Sequence, residues 1–575
     1  MKNRSNLLSE PISRKDFLLA ALVASGSLVA TPSLVAEIVG EKRELGQDDE
    51  ITTDDLARAE KIAGIRFTDE QRQQILRDVN TMRREAVALR QKQMDYTVEP
   101  PTLFRPMESA PGRPLTQPRG GPVAAPLGGS IGQPQKPPAE EELHFKSLTE
   151  LARLVQSRQI SPVELTRMYL DRLQKYGDAL LCVVTLTPEL AMRQARKAEQ
   201  EIISGNYKGV LHGIPCGIKD LFATRDYPTT WGAEPFKNQQ FDYDAAVVEK
   251  LDQAGAVIVA KLSLGALAMG DVWFRGTTKN PWNPQQGSSG SSAGSASATA
   301  AGLVGFAIGT ETLGSIISPS HRCRVTGLRP TYGRVSRYGA MAVSWTMDKI
   351  GPICRTAEDC YHVLRAIAGA DPRDPSSVDR PVLDPRTLDT KRLRIGYLPV
   401  AQGEGTPQEK MENDPIVGIF RQMGYRISLV EMPELPDAVT NILGVEAAAA
   451  FDDFTLSPEI EKLKNSAWPQ IYRANRFISG VDYLRAMRAR TVLMREYAEK
   501  TKDFDVFLSP QRALGALTIT NFTGHPQMFV PTPENDRGFS IIGRLYHEEQ
   551  LVALAMAFQS ETGSTRLHPD MSKIG

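Results

Sequence analysis

Apolar positions spaced for helices characterise the first charged part of the chain. Across residues 53–94 they recur at loosely helical intervals in a background rich in arginine, glutamate and glutamine, which is typical of amphipathic helices. Thr68 followed by Gln71 has the spacing of a capping box, which marks a helix N-terminus. We therefore predict a small helical hairpin here. Its apolar positions are Ile62, Phe67, Ile75, Val79 and Leu89.

A longer region follows in which helical and strand patterns alternate. Ser161 and Pro162 have the order of an N-cap serine and a first-turn proline, and apolar residues then follow at helical spacing. Residues 210–218 and 256–260 are short, apolar and β-branched, which indicates strands buried on both faces. A helix-like run over residues 247–251 precedes the second strand. This alternation predicts an α/β layered fold.

The first 36 residues have the composition of an export signal. Arg14 and Lys15 precede an uncharged stretch over residues 17–36, a pattern that resembles a twin-arginine signal with lysine as its second basic residue. A buried helix and a membrane anchor are the alternatives, but serine, glycine and proline interrupt the stretch and make it a poor span. We expect cleavage after Ala30 or Ala36 and a periplasmic or extracellular protein, with N-terminal anchoring as the alternative.

Residues 98–142 have the composition of a linker. The stretch 100–138 holds eleven prolines and two Gly-Gly pairs, which favours extended, solvated backbone, and we expect no catalytic group in it. The chain is thus predicted to contain four parts. They are an export signal (1–36), a helical hairpin segment (37–97), a linker (98–142) and a large catalytic domain (143–575).

Charge and cysteine content narrow the function further. The 68 basic residues are balanced by 68 acidic ones, which does not resemble the basic footprint of a nucleic-acid-binding protein. Five cysteines, an odd number without a C-x-x-C pair, do not indicate a disulfide framework or a metal site. We expect most of them to be buried as small apolar groups. The seven histidines show no ligand spacing, so no metal or cofactor is expected.

The Gly/Ser-rich tract at residues 287–315 has four interpretations. A flexible linker is disfavoured because residues 298–308 are apolar and continuous enough to be core. A phosphate-binding loop is disfavoured because neither G-K-[ST] nor G-x-G-x-x-G is present in the required context. A G-x-S-x-G nucleophile elbow centred on Ser292, with His525 as base, needs a strand directly before it, where two prolines stand instead. His525 is better interpreted as structural.

The fourth interpretation rests on three motifs in a fixed order. Lys219 ends an apolar strand, Ser291 lies in the Gly/Ser tract, and Ser315 ends a glycine-containing turn 24 residues later. The motifs are GIPCGIKD (213–220), GSSAGS (290–295) and GTETLGS (309–315), followed by TGLRPTYGRVS (326–336) and DKIGP (348–352). Together they resemble the amidase-signature family. Residues 521–526 and 541–544 look like the closing strands of that family, so the resemblance covers roughly residues 143–561.

The resemblance implies a fold, an activity and a set of roles. The fold is a large mixed β-sheet core flanked by helices on both faces, here with an N-terminal helical segment. Lys219, Ser291 and Ser315 become a catalytic triad for cleaving the C–N bond of a small-molecule amide, with a cis peptide between Gly290 and Ser291. A neutral lysine can act as the base only if burial lowers its pKa. The backbone N–H groups implied to form the oxyanion hole belong to Thr312, Leu313, Gly314 and Ser315.

Several residues depart from the family pattern. Ser289 and Ala293 stand where glycine is usual, and Leu313 replaces a glycine in the nucleophile turn. Glu311 stands where aspartate is usual and Ile317 where an arginine usually follows. We therefore expect the aspartate–arginine pair that is common beside the nucleophile to be absent. Because the triad is intact, the sequence favours a divergent active branch.

Two other functions remain open at this stage. The segment 330–336 also looks like the glutaminase-like A subunit of a tRNA-dependent amidotransferase, although an export signal argues against it because charged tRNA is cytosolic. A catalytically dead amidase fold could instead serve as a binding protein.

Overall fold

A computed structural model describes residues 50–92, 104, 106, 140–399, 404–510, 514–534 and 538–574. The expected export signal, its cleavage sites and nearly all of the expected linker lie outside these residues. Of the helices in the described ranges, none combines the length and the apolar character needed to span a bilayer.

Fifteen strands are present in the described residues, and eleven of them form one sheet. They are β1 (Val183–Leu186), β2 (Pro215–Lys219), β3 (Val257–Leu262), β4 (Val272–Trp273), β5 (Gly276–Thr277), β6 (Lys279–Asn280), β7 (Asn283–Gly287), β8 (Phe306–Glu311), β9 (Thr326–Arg329), β10 (Lys349–Cys354), β11 (Ile395–Tyr397), β12 (Ile427–Leu429), β13 (Val506–Pro510), β14 (Gln527–Pro531) and β15 (Gly538–Gly543).

Eighteen α-helices are present in the described residues, and two of them form the N-terminal helical segment. They are α1 (Thr53–Ala63), α2 (Asp69–Gln91), α3 (Glu140–His144), α4 (Leu148–Gln156), α5 (Pro162–Tyr176), α6 (Pro188–Ile203), α7 (Ala246–Gln253), α8 (Ala293–Ala300), α9 (Ile317–Cys323), α10 (Ala357–Ile367), α11 (Pro407–Glu412), α12 (Pro415–Gln422), α13 (Asn441–Ala450), α14 (Asp452–Leu456), α15 (Trp468–Asn475), α16 (Gly480–Thr501), α17 (Leu514–Thr523) and α18 (Glu548–Thr562).

The large sheet is mixed, as the resemblance implied. Its order is β1-β3-β2-β8-β10-β9-β14-β15-β13-β11-β12. Strands β3, β2 and β8 are parallel, and so are β13, β11 and β12, whereas the other neighbours pair antiparallel. The parallel trio matters for function, because β2 and β8 bring their carboxyl ends to the same edge of the sheet.

Both faces of the sheet are covered by apolar side chains. Along β8, Phe306 and Ile308 lie in the largest hydrophobic core, whereas Ala307 between them lies in a second core with β3 and β1 residues. This alternation follows from the two-residue period of a strand, and helices close both cores. All five cysteines are buried free thiols, as their apolar setting predicted.

The predicted hairpin is present as α1 and α2 and packs against the catalytic domain. Thr68 and Gln71 form the predicted capping box at the start of α2. Phe67 lies against Phe477, with ring centroids 6.3 Å apart, and Arg90 bonds both carboxylate oxygens of Asp482. The helical hairpin is therefore joined to α16 and to the segment between α15 and α16.

Two expected strands differ from the structure. Residues 210–214 do not join the strand that begins at Pro215. Residues 521–523 end helix α17 instead of forming a strand, because Ile519 and Phe522 pack into the core at helical spacing and Gly524, at φ +80°, ends the helix. The closing strand begins at Gln527.

Candidate active site

Lys219 occupies the last position of β2 and is fully buried. Its strand pairs in parallel with β8, and Ile218 lies opposite Ile308. The residues that follow in both strands are therefore neighbours, which brings the Lys219 ammonium group to Thr310. Lys219 Nζ lies 2.8 Å from Thr310 Oγ1 and 3.5 Å from the Thr310 carbonyl oxygen.

Burial changes the chemistry of this lysine. It lowers the pKa of Lys219 from 10.5 to about 7, because the charged form loses its hydration, while Asp348 and Glu311 partly oppose the shift. Among the described residues, its hydrogen-bond partners are hydroxyl and carbonyl oxygens. Near neutral pH a large share of this amine is thus unprotonated and able to accept a proton.

Ser291 brings a hydroxyl group within hydrogen-bonding distance of this amine. Lys219 Nζ lies 2.8 Å from Ser291 Oγ and 3.2 Å from Ser292 Oγ. The Gly290–Ser291 peptide bond is cis, as the resemblance implied. Ser289 has φ +59°, a region that favours glycine, which explains why glycine is usual there.

Ser315 lies in the turn between β8 and α9. Its carbonyl oxygen accepts a hydrogen bond of 3.1 Å from the backbone N–H of Ser292, so the two serine segments are joined directly. Gly314 has φ +85°, a conformation that lets the turn reverse sharply. The Leu313 side chain is 37% exposed, so the surface accommodates this departure from glycine.

The four N–H groups of this turn face no partner in the described part of the chain. None of the backbone N–H groups of residues 312–315 donates a hydrogen bond to another described residue. An oxyanion hole requires N–H groups that are not already used within the protein, and these four meet that requirement.

A buried glutamate–arginine pair supports the turn, where the family commonly has an aspartate–arginine pair. Glu311 Oε1 accepts from Arg329 Nη1 at 2.7 Å, and both side chains are fully buried. Glu311 Oε2 accepts from the N–H groups of Ile316 and Ile317 at 2.8 and 3.0 Å. The arginine of this pair comes from β9 and not from position 317, which is isoleucine.

Asp348 holds the other side of the turn. Its carboxylate accepts from Thr312 Oγ1 at 2.5 Å and from the N–H groups of Val343 and Ser344 at 2.8 and 3.1 Å. Asp348 therefore connects the loop before β10 to the proposed oxyanion residues.

A cavity of about 390 Å³ adjoins the site at Thr310 and Thr312. Its walls include the apolar or aromatic side chains of Leu221, Met341 and Trp345. Such a volume lies within the range of small-molecule sites.

The nucleophile-elbow interpretation does not fit this geometry. Ser292 Oγ donates to the Thr310 carbonyl at 3.1 Å and accepts from the Thr310 N–H at 3.2 Å, so it is held in place. His525 Nδ1 lies 2.8 Å from Thr523 Oγ1, and burial lowers the pKa of this histidine to about 3. The preceding strand β7 pairs only with β6, outside the large sheet. His525 is structural, as expected.

Sequence reasoning missed several supporting groups. Thr310 lies within a quoted motif, and its place beside Lys219 follows from the parallel pairing of β2 and β8. Arg329 and Asp348 also lie in quoted motifs, but their contacts depend on strand order, which the motifs do not contain.

Sequence comparison gives consistent relatives. The profile of the family described as Amidase matches residues 164–533. The A subunit of glutamyl-tRNA(Gln) amidotransferase from Methylococcus capsulatus is 33% identical over 474 residues, covering 73% of this chain and 98% of the relative. Its counterpart from Roseiflexus sp. is 32% identical over 485 residues, covering 75% and 99%.

Solved structures show the same similarity. The peptide amidase of Stenotrophomonas maltophilia superposes with a TM-score of 0.64 at 26% identity, covering 74% of this chain and 98% of that one. An amidase family protein of Bacillus anthracis gives a TM-score of 0.64 at 25% identity, covering 75% and 93%.

Proposed function

Because the chain belongs to the amidase-signature family and is an amidase, which cleaves amide C–N bonds, we propose that it works through an acyl-enzyme on Ser315. In this mechanism Ser291 relays a proton and Lys219 is the general base. The observation that carries the proposal is the 2.8 Å contact of a fully buried Lys219 Nζ with Ser291 Oγ.

The reaction proceeds in two halves. Ser315 Oγ attacks the amide carbonyl carbon while its proton passes through Ser291 to neutral Lys219. The oxyanion that forms is held by the N–H groups of residues 312–315, none of which donates a hydrogen bond to another described residue. As the C–N bond breaks, the departing amine takes the proton back from Lys219 through Ser291. Water then gives up a proton along the same route and attacks the ester, which releases the acid and restores Ser315.

An acyl-enzyme can be tested by trapping. We expect that incubation with a panel of aliphatic, aryl, peptide and fatty amides, in the presence of hydroxylamine, yields the hydroxamate of at least one acyl group together with the free amine. Hydroxylamine competes with water for the ester, so the ratio of hydroxamate to acid should rise with its concentration while amine release continues. Amine release with no hydroxamate at any concentration would contradict an accessible acyl-enzyme.

A glutaminase-like role is the second candidate. It is favoured by the relatives from the glutamyl-tRNA(Gln) amidotransferases, which are covered over almost their whole length. In that case glutamine would be the amide that releases ammonia, and other proteins of such a complex would receive it. Selective hydrolysis of glutamine within the same amide panel supports this candidate, and preference for another amide excludes it.

We further propose that the protein is exported, with loss of roughly the first 36 residues. Arg14, Lys15 and the uncharged stretch over residues 17–36 support this proposal. Cell fractionation followed by N-terminal sequencing should find a periplasmic or secreted protein that starts after Ala30 or Ala36. An intact Met1 in the cytosol would contradict export and strengthen the amidotransferase candidate.

A further inference from the structure

The part of the chain before residue 143, here called the N-terminal extension, reaches the candidate active site at Phe104. This residue lies in the segment expected to be a solvated linker, yet its side chain is only 2% exposed. Its ring meets Tyr332 edge to face, with centroids 4.9 Å apart, and shares a small core with Met494. Both Phe104 and Tyr332 line the 390 Å³ cavity beside Thr310 and Thr312.

A buried arginine fixes Phe104 in place. The Arg490 guanidinium carbon lies 3.5 Å from the centroid of the Phe104 ring, a close cation–π contact. Arg490 donates to Thr346 Oγ1 at 2.7 Å, to the Thr346 carbonyl at 2.9 Å and to the Phe522 carbonyl at 2.6 Å. The ring therefore covers a cation whose hydrogen bonds hold the loop between Tyr332 and β10 against α17.

Each charged side chain on the cavity wall has a partner among the described residues. Asp348 accepts from Thr312 Oγ1, and Lys349 Nζ donates to the Thr312 carbonyl oxygen at 3.4 Å. Arg337 lies 3.0 Å from Asp374, and Arg373 lies 2.6 Å from Glu249. The side chains left to contact a ligand include the rings of Phe104 and Trp345 and the apolar chains of Met341 and Val343. Because the charged side chains already have partners, the cavity favours an apolar or aromatic group of the substrate over a charged one.

We propose that Phe104, contributed by the N-terminal extension, determines substrate size by forming part of the wall of this cavity. The inference rests on the proposed function, since it assumes that the substrate of Ser315 extends into the cavity. The favoured substrates are amides that carry an apolar chain or ring, and the Phe104 ring limits the length of that group. Removing the ring enlarges the cavity, whereas a larger ring makes the cavity smaller.

A series of alkyl fluorophosphonates with chains from ethyl to dodecyl tests this without knowledge of the natural amide. Each probe reacts with the nucleophilic serine, and its chain length measures the accessible cavity. In the unmodified protein we expect the labelling rate to rise with chain length and then fall. In Phe104→Ala the chain length at which the labelling rate begins to fall should increase. Probes slightly longer than that length in the unmodified protein should label about tenfold faster. In Phe104→Trp this chain length should decrease.

Phe67→Ala is the matched control. Phe67 is a similarly buried aromatic residue of the same extension, but it packs on Phe477 and does not line the cavity. It should leave the chain-length profile unchanged, and ethyl-probe labelling should be similar in all variants. An unshifted profile in both Phe104 variants, or the same shift in Phe67→Ala, would overturn the inference. No labelling of Ser315 by any probe would instead overturn the proposed function.

Discussion

Replacing Lys219 with methionine is expected to lower kcat/KM by about 10²- to 10⁴-fold or more, the usual cost of losing a general base. Methionine keeps an unbranched apolar stem in the buried site but cannot accept a proton. Lys219 Nζ is the amine that contacts Ser291 Oγ, so no proton could then leave Ser315 along the proposed route. Steady-state kinetics on the best amide of the panel measures the loss.

Lys219→Arg should not restore activity, because a guanidinium stays charged at any working pH. Lys261→Met provides the contrast among buried lysines. Lys261 Nζ lies 2.8 Å from Asp220, and both side chains are fully buried, so its loss leaves an unpaired carboxylate at a cost of about 3–5 kcal/mol. We expect Lys261→Met to lower Tm clearly while changing kcat/KM little. Lys219→Met should lower kcat/KM strongly while changing Tm little. Near-normal turnover in Lys219→Met would end the proposed mechanism.

The pH dependence follows from the same residue. Since burial lowers the pKa of Lys219 to about 7, the amine is protonated and inactive as a base below that pH, and neutral above it. The kcat/KM of the unmodified enzyme should rise through pH 7 and level off on the alkaline side. A profile that falls through pH 7 as pH rises would show that the active form of this site is the protonated one.

Ser315→Ala should abolish nearly all turnover, by about 10⁶-fold on the scale of other serine nucleophiles. The substitution removes the only atom that forms the acyl bond, so neither the amine nor the hydroxamate should be released above background. Ser291→Ala should lose less, because a water molecule can take the place of a relaying hydroxyl but not of the nucleophile.

Ser292→Ala is the matched control within the same tract. Ser292 Oγ contacts Lys219 Nζ at 3.2 Å and the Thr310 backbone, which is a supporting role. We expect the smallest loss of the three serine variants. If Ser292→Ala were the inactive variant and Ser315→Ala retained turnover, the nucleophile would be misassigned.

The sequence was sufficient to select the candidate site residues that lie in contiguous motifs. Lys219 at the end of an apolar strand, the Gly/Ser tract around Ser291 and the glycine turn before Ser315 each have a local signature, and their order carries over from the family. The capping box at Thr68 and the helical hairpin were predictable for the same reason, since the signals lie within a few residues of each other.

Contacts between distant segments could not be predicted in this way. The arginine beside Glu311 comes from position 329, because β8 and β9 both pair with β10, and no local pattern contains that neighbour relation. Residues 521–523 were expected in a strand only from the family resemblance, and core packing of Ile519 and Phe522 places them in helix α17. The burial of Phe104 could not be predicted either, because the proline-rich composition of its segment indicates solvated backbone and gives no sign that one ring packs into the domain.

Labelling with one short alkyl fluorophosphonate, followed by intact-mass analysis and peptide mapping across pH 5–9, tests the central claim most directly. The account predicts a single adduct on Ser315, formed at a rate that rises through about pH 7, with the pH dependence lost and the rate greatly reduced in Lys219→Met. An adduct on Ser291 or Ser292, or labelling of Ser315 at a rate that Lys219→Met leaves unchanged, would contradict it.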